Sequence, residues 1–166
     1  VRQGVGVFDV SHMGEFTIKG SNALDLVQRV TSNDASKLVD GQAQYSCLPN
    51  DTGGIVDDLI VYRLKADDYV LVVNASNIDA CVERVQSLAP EGVTVVDRSP
   101  EVAMLALQGP TWAKALSPIS SPRCFGWLGI TPRYSMGIWL DSIQTNRSGL
   151  VRSRLWIKGC TRIWKE

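Results

Sequence analysis

Polar and apolar positions alternate over Glu15-Phe16-Thr17-Ile18-Lys19, which predicts a half-buried strand that Gly20-Ser21 closes. Ser21 then predicts a helix N-cap. Ala23, Leu24, Leu26, Val27 and Val30 follow at helical spacing as one apolar face, ending near Thr31-Ser32-Asn33-Asp34. Residues 42–48 predict a strand, the cluster from Pro49 to Gly54 a turn, and Ile55 to Leu64 the second strand of a hairpin. After the polar stretch Lys65-Ala66-Asp67-Asp68, Tyr69 to Val73 return as a third strand that ends at Asn74. Residues 42–74 therefore predict a three-stranded antiparallel meander.

Ser76 predicts a second N-cap. Ile78, Cys81, Val82, Val85 and Leu88 share one helical face, and Pro90-Glu91-Gly92 ends it. Strands are predicted at 93–96 and 103–107, and Pro110 opens a short helix to Leu116. Strands joined by short connections, with helices between them, predict the α+β class: a mostly antiparallel sheet with packed helices.

From about Ser117 the periodicity stops. Pro118, Pro122 and Pro132 interrupt the chain, and between Arg133 and Glu166 no period of 2 or 3.6 is sustained. Two parts are thus expected: a domain at residues 1–120 and an irregular, basic, Trp-rich tail at 121–166. Charge sharpens the division. Up to residue 100 there are eight Lys/Arg against fourteen Asp/Glu, a balance of −6. After it there are nine against three, a balance of +6. Four of the five tryptophans (127, 139, 156 and 164) also fall after residue 122. Such a composition suits an out-of-frame or disordered end; an unusual native tail is the next reading, and a tail stacking its aromatics on single-stranded RNA the least.

The totals narrow the classes further. At 166 residues, 45% hydrophobic and 20% charged, the chain is an ordinary globular length and composition. Its formal net charge is zero, so neither a nucleic-acid nor a membrane partner is expected. No apolar run approaches the ~20 residues needed to span a bilayer. No signal peptide is visible, and the start Val-Arg-Gln-Gly reads as if cut from something longer. Cys47, Cys81, Cys124 and Cys160 form no C-x-x-C pair, which predicts reduced thiols rather than a zinc or redox site.

His12 is the only histidine, and Ser11-His12 is not a nucleophile–base pair, because chain neighbours rarely present those groups to each other. Asp57 and Asp58 are more informative, since they interrupt an otherwise apolar strand. Removing even a neutral polar group from water without a partner costs ~2–7 kcal/mol, so acids in such a strand need a reason. Successive side chains point to opposite faces, so only one of the two can serve a given site. The alternative is that both cap turns or pair with Arg63 or Lys65. Tyr45 on the preceding strand and Asn74 after the following one favour a pocket. An aromatic face, a carboxylate and an amide on neighbouring strands suit a flat heterocycle with N–H edges, and an acid there could act as a base.

These stretches also carry a resemblance. Phe8-Asp9-Val10-Ser11-His12-Met13-Gly14-Glu15-Phe16, Thr31-Ser32-Asn33-Asp34, Gly41-Gln42-Ala43-Gln44-Tyr45-Ser46, Gly53-Gly54-Ile55-Val56-Asp57-Asp58-Leu59-Ile60-Val61-Tyr62, Val72-Val73-Asn74-Ala75-Ser76-Asn77 and Ala106-Leu107-Gln108-Gly109-Pro110 resemble, in order and spacing across residues 4–116, the aminomethyltransferase (T-protein) family of the glycine cleavage system. The resemblance implies a tetrahydrofolate-binding α+β fold. It also implies an activity: moving the aminomethyl carbon from the lipoyl arm of the H-protein onto tetrahydrofolate, with release of ammonia. It places the family's key acid at Asp58, which would help activate the attacking nitrogen. Met13, Tyr45, Asp58 and Asn74 then line the folate pocket, whereas Asp57 points to the other face and receives no role. No metal is implied. The compartment would be the bacterial cytoplasm or the mitochondrial matrix.

The family's later Tyr-Thr-Gly-Glu-Asp-Gly-Phe-Glu motif is absent, so this chain by itself is expected to turn over little. Two alternatives share the fold. One is a non-catalytic folate-binding module of the iron-sulfur-assembly type, of whose signature only Lys158-Gly159-Cys160 is present. The other is the folate domain of a dimethylglycine or sarcosine dehydrogenase.

Overall fold

The computed structural model describes residues 1–111 and 114–115, together with the backbone of 136–145 and 151–159. In chain order the elements are β1 (Gly6–Asp9), β2 (Gly14–Lys19), α1 (Ala23–Val30), β3 (Ala43–Pro49), β4 (Ile55–Lys65), β5 (Asp68–Val73), α2 (Ile78–Ser87), β6 (Thr94–Asp97), β7 (Val102–Gln108), β8 (Met136–Thr145) and β9 (Val151–Gly159). Single 3₁₀ turns lie at Ala35–Lys37, Ala75–Asn77 and Ser99–Glu101. Two compact units result: His12–Pro100, and Val1–Ser11 with Glu101–Glu166. The class is α+β with antiparallel sheets, as the short connections predict. Among the described residues no helix is long and apolar enough to cross a membrane.

The unit His12–Pro100 holds a five-stranded sheet in the order β3-β4-β5-β2-β6, antiparallel throughout. The predicted meander forms its first three strands. Tyr69 to Val73 of β5 are all buried, which explains why this central strand reads as a continuous apolar run rather than an alternation. The α1 stripe Ala23, Leu26, Val27 and Val30 is buried at spacings of three, four and seven, and packs in one core with Phe16 and Ile18 of β2, Leu59 and Val61 of β4, and Cys81 and Val85 of α2. Each large aliphatic side chain so buried contributes roughly 1.5–3 kcal/mol.

Both predicted helix caps move by one residue. Asn22, not Ser21, holds the N-cap position of α1, without a side-chain cap bond. The cause is the turn before it: Gly20 has φ +134°, and the Ala23 N–H donates to its carbonyl at 2.9 Å. A Cβ at Gly20 would lie 2.1 Å from the Gly92 carbonyl oxygen, so only glycine allows this entry. Ahead of α2, residues Ala75–Asn77 form a 3₁₀ turn, and Asn77 rather than Ser76 is the N-cap. Its side chain makes no cap bond because its amide is engaged elsewhere, as described below.

In the other unit the sheet order is β1-β7-β8-β9. β1 pairs antiparallel with β7 from Gly6 opposite Gln108 to Asp9 opposite Leu105. β7 pairs with β8, and β8 with β9, also antiparallel. Within the segment expected to be irregular, two strands are thus described. Pairing between strands is made by backbone N–H and C=O groups, which leave no trace in side-chain periodicity. The remainder of 121–166 lies outside the described residues, as do residues 112, 113 and 116 of the short helix predicted from Pro110, of which residues 114–115 are helical. Of the cysteines, Cys47 and Cys81 are free thiols; Cys124 and Cys160 lie outside the described residues.

Candidate functional site

The register of β4 against β3 sets Leu48 opposite Asp57 and Cys47 opposite Asp58. Asp57 therefore shares the core face with Leu59 and Val61. Asp58 shares the other face with Tyr45, which is opposite Ile60 two residues along. The pleat separates the two acids as the alternation requires: Asp57 is 5% exposed, and Asp58 is exposed.

Burial obliges Asp57 to be satisfied by the protein. Its Oδ2 accepts the backbone N–H of Asn74 at 2.8 Å. Its Oδ1 accepts from Asn74 Nδ2 and from Asn77 Nδ2, each at 2.8 Å. The Asn77 amide is thereby used as a donor to Asp57 and not as a cap. The carboxylate also lies by the N-cap of α2, where the helix dipole favours negative charge. Cys81 on α2 has its sulfur 3.9 Å from Asp57 Oδ2. Burial, reinforced by repulsion from Asp57, pushes the Cys81 thiol up to about 12, which leaves it protonated and unreactive.

On the open face, the Tyr45 hydroxyl donates to Asp58 Oδ2. Asn74 Nδ2 donates to Asp58 Oδ1 at 2.9 Å and approaches the Asp58 carbonyl at 3.2 Å. The hydrogen bond to Asp58 is the main cause that holds the Tyr45 phenol up at about 12, with partial desolvation and the negative charge of Asp58 adding to it. Tyr45 keeps 39% of its surface exposed, so its ring remains available as a stacking face. The alternative partners do not engage the acids: Arg63 pairs with Asp40 at 2.9 Å and donates to the Leu38 carbonyl.

Tyr45, Asp58 and Asn74 are thus joined by hydrogen bonds. Met13, the remaining predicted residue, is half-buried and immediately precedes β2. Gly14 is opposite Val73, so continuing that register sets Met13 beside Asn74. His12 is exposed, and the Ser11 hydroxyl donates to Asp9 Oδ1 at 2.6 Å rather than to an imidazole.

Residues with no predicted role hold the site in place. Ser32 and Asn33, read from sequence as part of a helix end, stitch the loop to β3. The Ser32 N–H donates to the Cys47 carbonyl at 3.0 Å, and the Cys47 N–H donates to Ser32 Oγ at 3.1 Å. Asn33 donates its N–H to Ser46 Oγ at 2.9 Å and its Nδ2 to the Tyr45 carbonyl. The signal in the sequence is a run of short polar side chains just after a helix, a composition suited to bonding nearby backbone. Asn77 and Asp57 carried no comparable local signal, because their partners lie about 20 residues apart (|i−j| = 20).

Chemically, the open face offers a solvent-accessible carboxylate, a phenol that fixes one of its oxygens, and an aromatic ring. Both Asp58 oxygens retain lone pairs for a ligand that presents N–H donors, and a carboxylate so placed can accept a proton. Among the described residues no group of three His, Cys, Asp or Glu is gathered to hold a metal ion.

Comparisons with known proteins bear on residues that include this site. A family model described as the GCVT N-terminal domain matches residues 1–131. The aminomethyltransferase of Flavobacterium psychrophilum is 60% identical over 121 residues, covering 73% of this chain and 34% of that protein. The aminomethyltransferase of Thermus thermophilus is 51% identical over 121 residues, 72% of this chain and 35% of that one. Among solved structures, the glycine cleavage system aminomethyltransferase T of Bartonella henselae matches with a TM-score of 0.66 and 36% identity, over 70% of this chain and 32% of that chain. The heterotetrameric sarcosine oxidase of Corynebacterium sp. U-96 matches with a TM-score of 0.54 over 93% of this chain and 75% of that one; at 18% identity it shares the fold alone. The chain spans about a third of the length of the curated relatives it matches.

Proposed function

The chain belongs to the GCVT N-terminal domain family, and from that premise we propose that it is part of a tetrahydrofolate-dependent aminomethyltransferase of glycine cleavage. In this reading it takes an aminomethyl carbon from the lipoyl arm of a carrier protein, the H-protein, with release of ammonia. The observation that carries it is the hydrogen-bonded set Tyr45–Asp58–Asn74 on the open face of the sheet. Its donor and acceptor pattern fits the group: exposed carboxylate oxygens suit the N–H edges of a reduced pterin, and the Tyr45 ring offers a face for it.

Tetrahydrofolate, when bound, supplies the nitrogen that receives the one-carbon unit. The residues of this chain supply the setting. Asp58 accepts the proton that this nitrogen must lose, or balances the positive charge developing there. Tyr45 keeps one Asp58 oxygen turned toward the phenol, so the carboxylate does not rotate freely. Met13 and Asn74 line the same end of β2 and β5.

Two measurements test the reading. Calorimetric titration of the chain with tetrahydrofolate should show binding, and Asp58→Asn should weaken it by about tenfold or more, the loss expected for a bond to a charged group. With loaded H-protein as donor, Asp58→Asn in the full-length enzyme should slow aminomethyl transfer by ~10²–10⁴-fold, the usual contribution of a positioned base. Unchanged affinity together with unchanged transfer would remove Asp58 from the site.

A further inference from the structure

Asn74 touches both acids. Three oxygens lie around its Nδ2: Asp57 Oδ1 at 2.8 Å, Asp58 Oδ1 at 2.9 Å and the Asp58 carbonyl at 3.2 Å. An amide has two N–H donors and one carbonyl acceptor. With only acceptors on that side, the nitrogen must face the acids, and its hydrogens are used by them. What Asn74 has left for a ligand is its Oδ1, which no bond among the described residues engages.

Asp57 holds this residue twice, through the side-chain Nδ2 and through the backbone N–H at 2.8 Å. Asn77 Nδ2, from the turn before α2, donates to the same Asp57 Oδ1 and so holds the carboxylate in turn. Asp58 also bonds the Asn74 amide, but Asp58 is exposed and is the group a ligand would engage. Only the buried acid can keep Asn74 in place while Asp58 changes partner.

We propose that Asp57 is a positioning residue: it sets the orientation of the Asn74 amide, so that the open face presents acceptors only, from Asn74 Oδ1 and Asp58, to a ligand bearing N–H donors. This rests on the tetrahydrofolate reading for the identity of the ligand, but not for the orientation itself. Without Asp57 the Asn74 amide can turn over, put a donor where the ligand also has one, and lose the contact.

The test uses the ¹⁵N-labelled chain, with and without tetrahydrofolate. In the ligand-free wild type the two Asn74 side-chain amide protons should be separate and slow to exchange with solvent. Asp57→Asn, which keeps shape and volume, should speed their exchange about tenfold or more, as expected when a buried bond opens locally. It should also raise the Kd for tetrahydrofolate about 10–100-fold, the cost typical of losing a group that orients a ligand-binding residue. Asn77→Ala removes one donor from Asp57 in a half-buried turn and should produce both changes at a smaller size, about three-fold. If Asp57→Asn does not fold, this second variant decides.

An Asn74 amide unchanged in the folded variants overturns the proposal, as does a loosened amide with unaltered tetrahydrofolate affinity. A wild-type chain that binds no tetrahydrofolate overturns the functional reading instead, and the amide exchange alone then decides the orientation. Faster exchange with weaker binding supports both.

Discussion

On the inner face of β4, Asp57 is 5% exposed and takes three N–H donors from Asn74 and Asn77. On the outer face its chain neighbour Asp58 takes a phenol and an amide hydrogen and stays open to solvent. The two side chains are chemically identical. What separates them is which side of the pleat each occupies, and hence whether water or protein must satisfy the carboxylate. A buried acid has to be fully bonded by the fold, so it becomes part of the scaffold. An exposed one keeps lone pairs that a ligand can use. The comparison also explains why one acid sits beside the other. The inner carboxylate anchors the asparagine that the outer one shares.

Stability should separate the two most strongly. Asp57→Ala takes the acceptor from the Asn74 backbone N–H and from the Asn77 amide, both half-buried, and should cost about 3 kcal/mol in urea denaturation, at ~1–3 kcal/mol for each unsatisfied group. Asp58→Ala should move the urea midpoint much less, because water replaces most of the lost bonding at the exposed face. Equal effects from the two substitutions would erase the distinction drawn here.

The next largest difference is in titration, for which each face carries its own reporter. Tyr45 reports on Asp58, and its phenol sits at about 12 against an ordinary 10. Asp58→Asn should bring the Tyr45 ¹³Cζ titration most of the way back toward 10, whereas Asp57→Asn should barely move it. Both groups titrate above their ordinary values, so each favours the folded state while protonated. The stability Tyr45 contributes is complete below pH 10 and is lost as pH rises through about 12. For Cys81 the loss begins at its ordinary value of 9 and runs to about 12. A fold that gains stability as pH rises through this window would contradict the assignment.

The smallest effect is expected at Cys81. Burial is the first cause of its shift and Asp57 only the second, so Asp57→Asn should lower the thiol titration in part. A full return to 9 would mean that charge, not burial, governs the inner face.

Much of this was legible in the chain. The stripe Ala23, Leu26, Val27, Val30 defined α1, and the apolar runs around the Pro49–Gly54 turn defined the β3–β4 hairpin, because side-chain periodicity follows directly from helix and strand geometry. The same rule required Asp57 and Asp58 to part. Periodicity could not say which face is the core, and it could not see β8 and β9, whose pairing is made by backbone groups. Nor could it foresee the helix caps. Gly20 approaches Gly92, and Asn77 gives its amide to Asp57, through contacts between residues far apart in the chain.

The sequence by itself therefore determined the meander, the two helices and the fact that the two acids must face opposite sides of the sheet, since these depend on local spacing alone. Tertiary structure decided the role of the other acid. Only when α2 and the end of β5 close over β4 do Asn74 and Asn77 reach Asp57, and only then does a carboxylate that strand alternation points into the core become the anchor of the residues around Asp58.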